Sequence, residues 1–227
     1  MKSFVLVLLG LLCALSLAAD ARRPNVMECE LDIVQITANH ATKQSITETQ
    51  AHHIWIKGNL VRREERSVGG TEILVEGSGK AYLYSPEAKR GLKRASDKPV
   101  ARGEYPEFFD AEGFRDWVKK SGAKKTGSDK VNGVDCEVYA LTDGPATIKR
   151  WLRDDNGQLV KNTLAVEQSG QPKVLTTMTI KSLKLGGPID EALFQAPKGI
   201  EFKDVAELEK LNKSAAARAA KGAKSKK

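Results

Sequence analysis

The stretch HHIWIKGNLVRREERSVGGTEILVEGSGKAYLYS (52–85) decides the fold, because apolar and polar residues alternate through four short runs. The runs are HHIWIKG (52–58), LVRREERSV (60–68), TEILVEG (71–77) and KAYLYS (80–85). Alternation with β-branched and aromatic residues predicts strands that each bury one face. Glycines between the runs predict turns, so the block indicates consecutive antiparallel strands.

The same pattern continues on both sides of this block. One strand-like run precedes it and four follow: CELDIVQITA (29–38), GVDCEVYAL (133–141), ATIKRWLRD (146–154), QLVKNTLAVEQ (158–168) and KVLTTMTIKSLKL (173–185). The dipeptide Asn156-Gly157 suits a type I′ turn, in which both central residues have positive φ. We therefore expect residues 147–154 to pair antiparallel with 159–167.

One amphipathic helix interrupts the strands. Residues 107–122 place Phe114, Trp117 and Val118 at helical spacing, and Asp110 and Gly122 suit the two ends. A second, weaker helix is expected from about Lys203 to Ala220. The fold class predicted is mainly β (α+β), a curved antiparallel sheet or half-open β-barrel with the first helix as a lid, because a sheet with one wet face needs a cover on the other.

The N-terminal residues have the pattern of a targeting segment. Lys2 is followed by the sixteen uncharged residues FVLVLLGLLCALSLAA (4–19) and then by Asp20-Ala21. This pattern predicts a secretory signal peptide over residues 1–21, removed after Ala19 or Ala21. An uncleaved anchor is the alternative, but sixteen residues are short for a membrane span, which needs about 20. We therefore expect an exported, periplasmic protein.

Export bears on the cysteines, of which Cys29 and Cys136 remain after cleavage. An even count in an exported chain predicts one disulfide, and two buried free thiols are the alternative.

No catalytic or metal-binding constellation stands out. His52 and His53 are adjacent and would point to opposite faces of a strand, and His40 is the third histidine. We expect no enzyme activity, cofactor or metal.

The net charge of +8 is concentrated at the C-terminus. Residues 213–227 hold six basic side chains and no acidic one, which leaves the body of the chain near neutral. This distribution argues against nucleic acid as a partner. We expect a domain over 22–204 and a basic tail over 205–227, partly helical or disordered, that either contacts anionic lipid headgroups or only aids solubility.

Three segments together resemble a known family, the outer-membrane lipoprotein carrier (LolA/LolB-like) superfamily, over about residues 28–204. The first is 53–87, where Trp55-Ile56-Lys57 and the hairpin around Gly79-Lys80 are similar to the family's strand block, as are Ile73, Leu74, Val75, Tyr82, Tyr84 and Pro86. The second is the central hairpin RWLRDDNGQLVKNTLAVEQ (150–168). The third is LGGPIDEALFQAPKGIEFKD (185–204), through Asp190, Phe194, Pro197 and Gly199.

The resemblance implies a half-open barrel with a helical lid over a cavity that takes acyl chains of lipoproteins. Relatives act as receptors or as sensors of envelope stress. The chain departs from the carriers at Gly58, where they have an arginine that bonds to the lid, while Arg62 and Arg63 lie on the next strand. The family usually starts with a helix before its first strand, whereas here only about Arg22–Met27 is available for one.

The candidate ligand site consists of apolar residues at alternating positions, with Phe114, Trp117 and Val118 as the lid. They are expected to share the concave face, which is either open to a guest or an ordinary core: Ile54, Ile56, Ile73, Val75, Tyr82, Tyr84, Leu164, Val166, Met178 and Ile180. The function expected is that of an envelope binding protein for an apolar ligand, such as a lipid or the acyl chains of a lipoprotein, with the role of a carrier included. The alternative is a sensor or scaffold that binds a partner protein through the same fold.

Overall fold

The computed structural model describes residues 26–39, 44–77, 79–95, 111–167, 173–208 and 210. The predicted signal peptide, Asp110 and most of the predicted basic tail therefore lie outside the described residues. Within them, no helix is long and apolar enough to cross a membrane.

The described chain forms twelve strands and one α-helix, which confirms a mainly β fold. The strands are β1 (Val26–Asn39), β2 (Gln44–Lys57), β3 (Leu60–Ser67), β4 (Gly70–Gly77), β5 (Lys80–Ser85), β6 (Arg90–Ala95), β7 (Lys124–Val131), β8 (Val134–Asp143), β9 (Ala146–Arg153), β10 (Leu159–Val166), β11 (Lys173–Leu185) and β12 (Glu201–Asp204). The helix α1 (Ala111–Ser121) lies within the predicted range and ends at Gly122, whose φ of 75° suits glycine. A 3-10 turn occupies Glu191–Phe194, and a short stretch at 205–208 is also helical. The weaker helix expected from about Lys203 therefore starts later, because Lys203 lies in β12.

All strands belong to one sheet, in the order β12-β6-β5-β4-β3-β2-β1-β11-β10-β9-β8-β7. Neighbours are antiparallel except β12 and β6, which run parallel. The long strand β1 lies in the middle, between β2 and β11, and so joins the two ends of the domain. The sheet is open, with β12 and β7 at its two ends.

The two faces of the sheet have separate apolar clusters. We call the face that α1 contacts the helix face. Its cluster contains Phe114 of α1 together with sheet residues from β1, β2, β3, β9, β10 and β11, among them Met27, Cys29, Leu31, Ile54, Val61, Leu152, Leu159, Met178 and Ile180. The other face, called the outer face, carries a cluster of Trp55, Ile73, Val75 and Tyr84 that packs against Phe194. A third cluster, around Val138 and Trp151, lies toward β7.

The predicted hairpin between β9 and β10 is confirmed, but the predicted type I′ turn at Asn156-Gly157 is wrong. Gly157 has φ 79°, whereas Asn156 is not among the residues with positive φ. The Gly157 amide donates to the Arg153 carbonyl at 2.8 Å, and the Arg153 amide donates to Gln158 at 2.8 Å, so the loop is longer than two residues. The two-residue turn with positive φ at both positions lies at Asn132-Gly133, between β7 and β8.

The expected disulfide is absent, because Cys29 and Cys136 are both free and buried. Cys29 lies in the helix-face cluster on β1, and Cys136 belongs to the third cluster on β8. Strand order separates them by four strand spacings, or roughly 19 Å, whereas a disulfide needs Cα atoms within about 7 Å. Burial raises the pKa of the Cys29 thiol to about 12 and also raises the pKa of Cys136, so both thiols are poorly reactive.

Candidate functional site

The helix α1 packs on the helix face through Phe114, Trp117 and Val118, which are the residues predicted to form the lid surface. Phe114 is only 1% exposed, and Val118 packs against the same cluster. Trp117 is half-buried and stacks on Arg150 of β9, whose guanidinium carbon lies 4.0 Å from the Trp117 ring centroid and 5.3 Å from that of Phe114. An apolar stripe at helical spacing therefore fixes α1 to the sheet, and a cation–π contact extends it.

Six of the ten predicted ligand residues share the helix face with α1. Cross-strand pairing aligns them on β2, β10 and β11: Ile54, Ile56, Leu164, Val166, Met178 and Ile180. Ile56 and Val166 are half-buried, and the other four are buried. Leu164 and Val166 lie outside the cluster that contains Phe114, so the apolar positions of this face continue beyond the contact with α1.

The other four predicted residues, Ile73, Val75, Tyr82 and Tyr84, lie on the outer face instead. The turn between β2 and β3 pairs Lys57 with Leu60, so Trp55 pairs with Arg62, and Arg62 in turn pairs with Val75. Directly paired residues point to the same side of a sheet, whereas Trp55 and Ile54 point to opposite sides. Counting residue pairs outward from these short turns would have assigned the two groups of residues to opposite faces from the sequence alone.

The outer face is closed by the segment that follows β11. Arg62 donates to the Leu193 carbonyl at 3.0 Å and to the Tyr84 hydroxyl at 3.2 Å, and its guanidinium also pairs with Glu64. Lys57 donates to the Ile189 carbonyl at 3.3 Å. Phe194 is buried against the outer-face cluster. These contacts indicate that the outer face of β2–β5 is an internal core.

The helix face also contains buried polar side chains that sequence reasoning missed. Arg150 and Asn162 are paired across β9 and β10 and are 8% and 7% exposed. The Asn162 Oδ1 atom and the buried hydroxyl of Thr176, on neighbouring β11, have no hydrogen-bond partner. The local sequence around these residues does not indicate that their side chains are buried. An apolar face with a few polar groups is typical of ligand sites.

His52 is a further polar group on the helix face. It is 9% exposed, and burial, reinforced by the nearby Arg63, lowers its pKa to about 4. The adjacent His53 points to the outer face, where it stacks on Trp55 and contacts Glu28 at 2.9 Å. The opposite orientation of the two histidines is as predicted. Among the described residues, no group of three or more histidine, cysteine, aspartate or glutamate side chains is arranged to hold a metal ion.

A groove of about 660 Å³ lies along β4, β5, β6 and β12. Leu83 and Leu92 line it, and register places both on the helix face, away from α1. Charged residues of both signs complete its lining, namely Glu72, Arg90, Glu201 and Lys203. The groove is therefore more polar than the surface beside α1.

Comparison with known proteins gives structural neighbours only. No protein-family model matches the sequence, and no curated protein matches it. The Pseudomonas aeruginosa MucA/MucB complex is similar over 79% of this chain and 59% of that chain, with 19% identity and a TM-score of 0.40. The chain therefore spans less than two thirds of MucB.

Two further solved structures are a LolA superfamily protein and a putative lipoprotein-sorting protein domain. A LolA superfamily protein from Nitrosomonas europaea is similar over 74% of this chain and 90% of that chain, with 9% identity and a TM-score of 0.32. A putative outer membrane lipoprotein-sorting protein domain from Vibrio parahaemolyticus matches over 75% and 89%, with 14% identity and a TM-score of 0.28. LolA superfamily structures thus stand among the neighbours, as the sequence resemblance predicted. Every TM-score is below 0.5, so the function proposed below rests on this chain's own residues.

Proposed function

We propose that the protein is a binding protein of the periplasm, not an enzyme, and that its helix face takes an apolar ligand such as the acyl chain of a lipid or lipoprotein. The signal peptide predicted over residues 1–21 supports the location. The apolar surface around α1 supports the ligand class.

The observation that carries the proposal is the mismatch between the helix and the face it contacts. A helix of eleven residues is about 16 Å long. Twelve strands at about 4.8 Å spacing extend over roughly 50 Å. Of the described elements outside the sheet, α1 is the one that contributes to the helix-face cluster.

Apolar residues beyond α1 are correspondingly incompletely buried. Ile33, Ile56 and Leu183 are half-buried at the edge of the helix-face cluster, and Leu185 is 51% exposed on the same face. A guest that covers such a surface gains about 0.8 kcal/mol for each CH₂ removed from water. An acyl chain can therefore bind here without polar contacts.

Strand β1 offers a matched pair of variants for testing the proposal. Ile33 and Ile36 are both half-buried, but Ile33 lies on the helix face and Ile36 lies on the outer face. In a titration with a dansyl fatty acid, Ile33→Gln should weaken binding about fourfold or more, because the burial of at least one methylene, worth about 0.8 kcal/mol, is lost. Ile36→Gln should leave the affinity unchanged.

Two results would contradict the proposal. One is absence of a fluorescence change with the wild-type mature protein at micromolar concentrations. The other is an equal loss of affinity in both variants, which would place the probe elsewhere. Native mass spectrometry of protein purified from its host adds an independent readout, since a bound lipid increases the intact mass.

A second candidate function is a sensor or scaffold that binds a partner protein. The groove along β4–β6 favours it, because Glu72, Arg90 and Lys203 surround Leu83 and Leu92 and offer hydrogen bonds that an acyl chain cannot use. Charge reversal at Arg90 and Lys203 should then abolish recovery of one stoichiometric protein in a pull-down while fatty-acid binding is retained. Recovery that survives the reversal would count against this candidate.

A further inference from the structure

Among the residues that the structure describes, the sheet has a third free edge in addition to its two ends. Strand β2 pairs with β1 along its whole length, from Gln44 to Lys57. It pairs with β3 only from Ala51 to Lys57. Within the described ranges, no strand therefore pairs with residues 44–50 on the side away from β1. We call this segment, QSITETQ, the β2 edge.

The two terminal edges of the sheet are protected against pairing with another chain, whereas the β2 edge is not. The outer strand β7 carries Lys124, Lys125 and Lys130 and has a register irregularity between Lys125 and Gly127. The strand β12 has only four residues, three of them charged. Lysines, bulges and short length are the devices by which sheets avoid edge-to-edge association.

The β2 edge has none of these devices. Residues 44–49 are all exposed, Ile46 is 65% exposed, and Glu48 is the one charged residue. The segment contains no proline or glycine, and Ile46, Thr47 and Thr49 are β-branched residues that favour strands. An exposed, weakly charged strand edge of this kind is a template for strand addition.

The sequence of the β2 edge matches itself in the antiparallel orientation. With Thr47 opposite Thr47 of a second copy, residues 45–49 pair with one another, and Ser45 meets Thr49 on the outer face. Ile46 meets Glu48, so the two glutamates never lie opposite each other. Hydroxyl pairs across strands are favourable, whereas like charges directly opposite are not. A pairing of a surface with itself also closes as a two-fold dimer.

We propose that two copies of this chain associate through the β2 edge, antiparallel and centred on Thr47, to form one continuous sheet. This inference is independent of the proposed ligand. It leaves the groove along β4–β6 and the surface around α1 outside the contact, so ligand binding and dimer formation are separable.

Two double variants test both the contact and its register. Ser45→Lys with Thr49→Lys places two like-charged pairs across the contact, and light scattering after size exclusion should give the mass of one chain. Ser45→Lys with Thr49→Glu places opposite charges at the same points and should give the mass of two chains, like the wild type. As a matched control, Ser128→Lys with Thr142→Lys adds the same charge at exposed positions of β7 and β8 and should remain dimeric.

Each alternative outcome overturns the inference. A wild-type protein that is monomeric up to a concentration on the order of 100 µM, a high dissociation constant for a specific contact, would show that the edge does not pair with itself. The same result is expected if the edge binds a strand of another protein instead. A Lys/Lys variant that remains dimeric would place the contact elsewhere. A Lys/Glu variant that is monomeric would refute the register. Circular dichroism of each variant establishes that the sheet is folded.

Discussion

Truncation of Phe114 tests whether α1 is packed on the sheet as described. The side chain is 1% exposed and lies in the helix-face cluster with residues of six strands. Replacing a buried phenylalanine by alanine removes its transfer free energy and leaves a cavity, which together cost about 3–5 kcal/mol. With a urea m-value of ~2 kcal/mol/M, Phe114→Ala should lower the unfolding midpoint by about 1.5–2.5 M.

The measurement is urea unfolding of the mature protein followed by tryptophan fluorescence and by far-ultraviolet circular dichroism. Coincident curves establish two-state behaviour, which a single free energy of unfolding requires. Leu92→Ala is the control, because Leu92 is 38% exposed and its truncation should cost less than about 1 kcal/mol. A Phe114→Ala midpoint indistinguishable from that of Leu92→Ala would refute the packing of α1 on the helix face.

Three further predictions follow from the polar groups and the thiols. Arg62→Met removes the hydrogen bond to the Leu193 carbonyl and the pair with Glu64, and limited proteolysis should then cut the closing segment faster than in the wild type. His52 has a pKa of about 4 in the folded protein against 6.5 unfolded, so stability is full above about pH 6.5 and falls as the pH drops from 6.5 to 4. His52→Gln should flatten that dependence in urea unfolding at each pH. Unreduced mature protein should show two free thiols, at Cys29 and Cys136, that react with a thiol reagent only in denaturant; a mass two hydrogens lower than that of reduced protein would contradict this.

Much of the secondary structure could be predicted from local pattern. The four runs of residues 52–85 became β2–β5, because alternation reports directly on which side chains a strand can bury. The helix was predicted over 107–122 and is described over Ala111–Ser121, since Phe114, Trp117 and Val118 have the spacing of one helical face. The sequence placed the residues of the candidate site less well. Alternation shows which residues share one face of a strand, but not whether that face packs against α1 or against the segment that contains Phe194.

The buried polar groups of the helix face show a second limit. Arg150 and Asn162 lie in strands that contain other polar residues, and nothing in the local sequence indicates their burial, although they are among the most buried polar side chains of the described residues. Burial of a particular strand position depends on the elements stacked above it, here Phe114 and Trp117 of α1. No short-range pattern contains that information.

The sequence alone determined the strand series, the amphipathic helix and the hairpin between β9 and β10, because each depends on residues a few positions apart. The tertiary structure decided that Val75 and Tyr84 face a different core from Ile54, through a register that passes across three strands and a cover, Phe194, more than a hundred residues away. It also decided that Cys29 and Cys136 stay apart, since strand order in the sheet, and not separation along the chain, sets their distance.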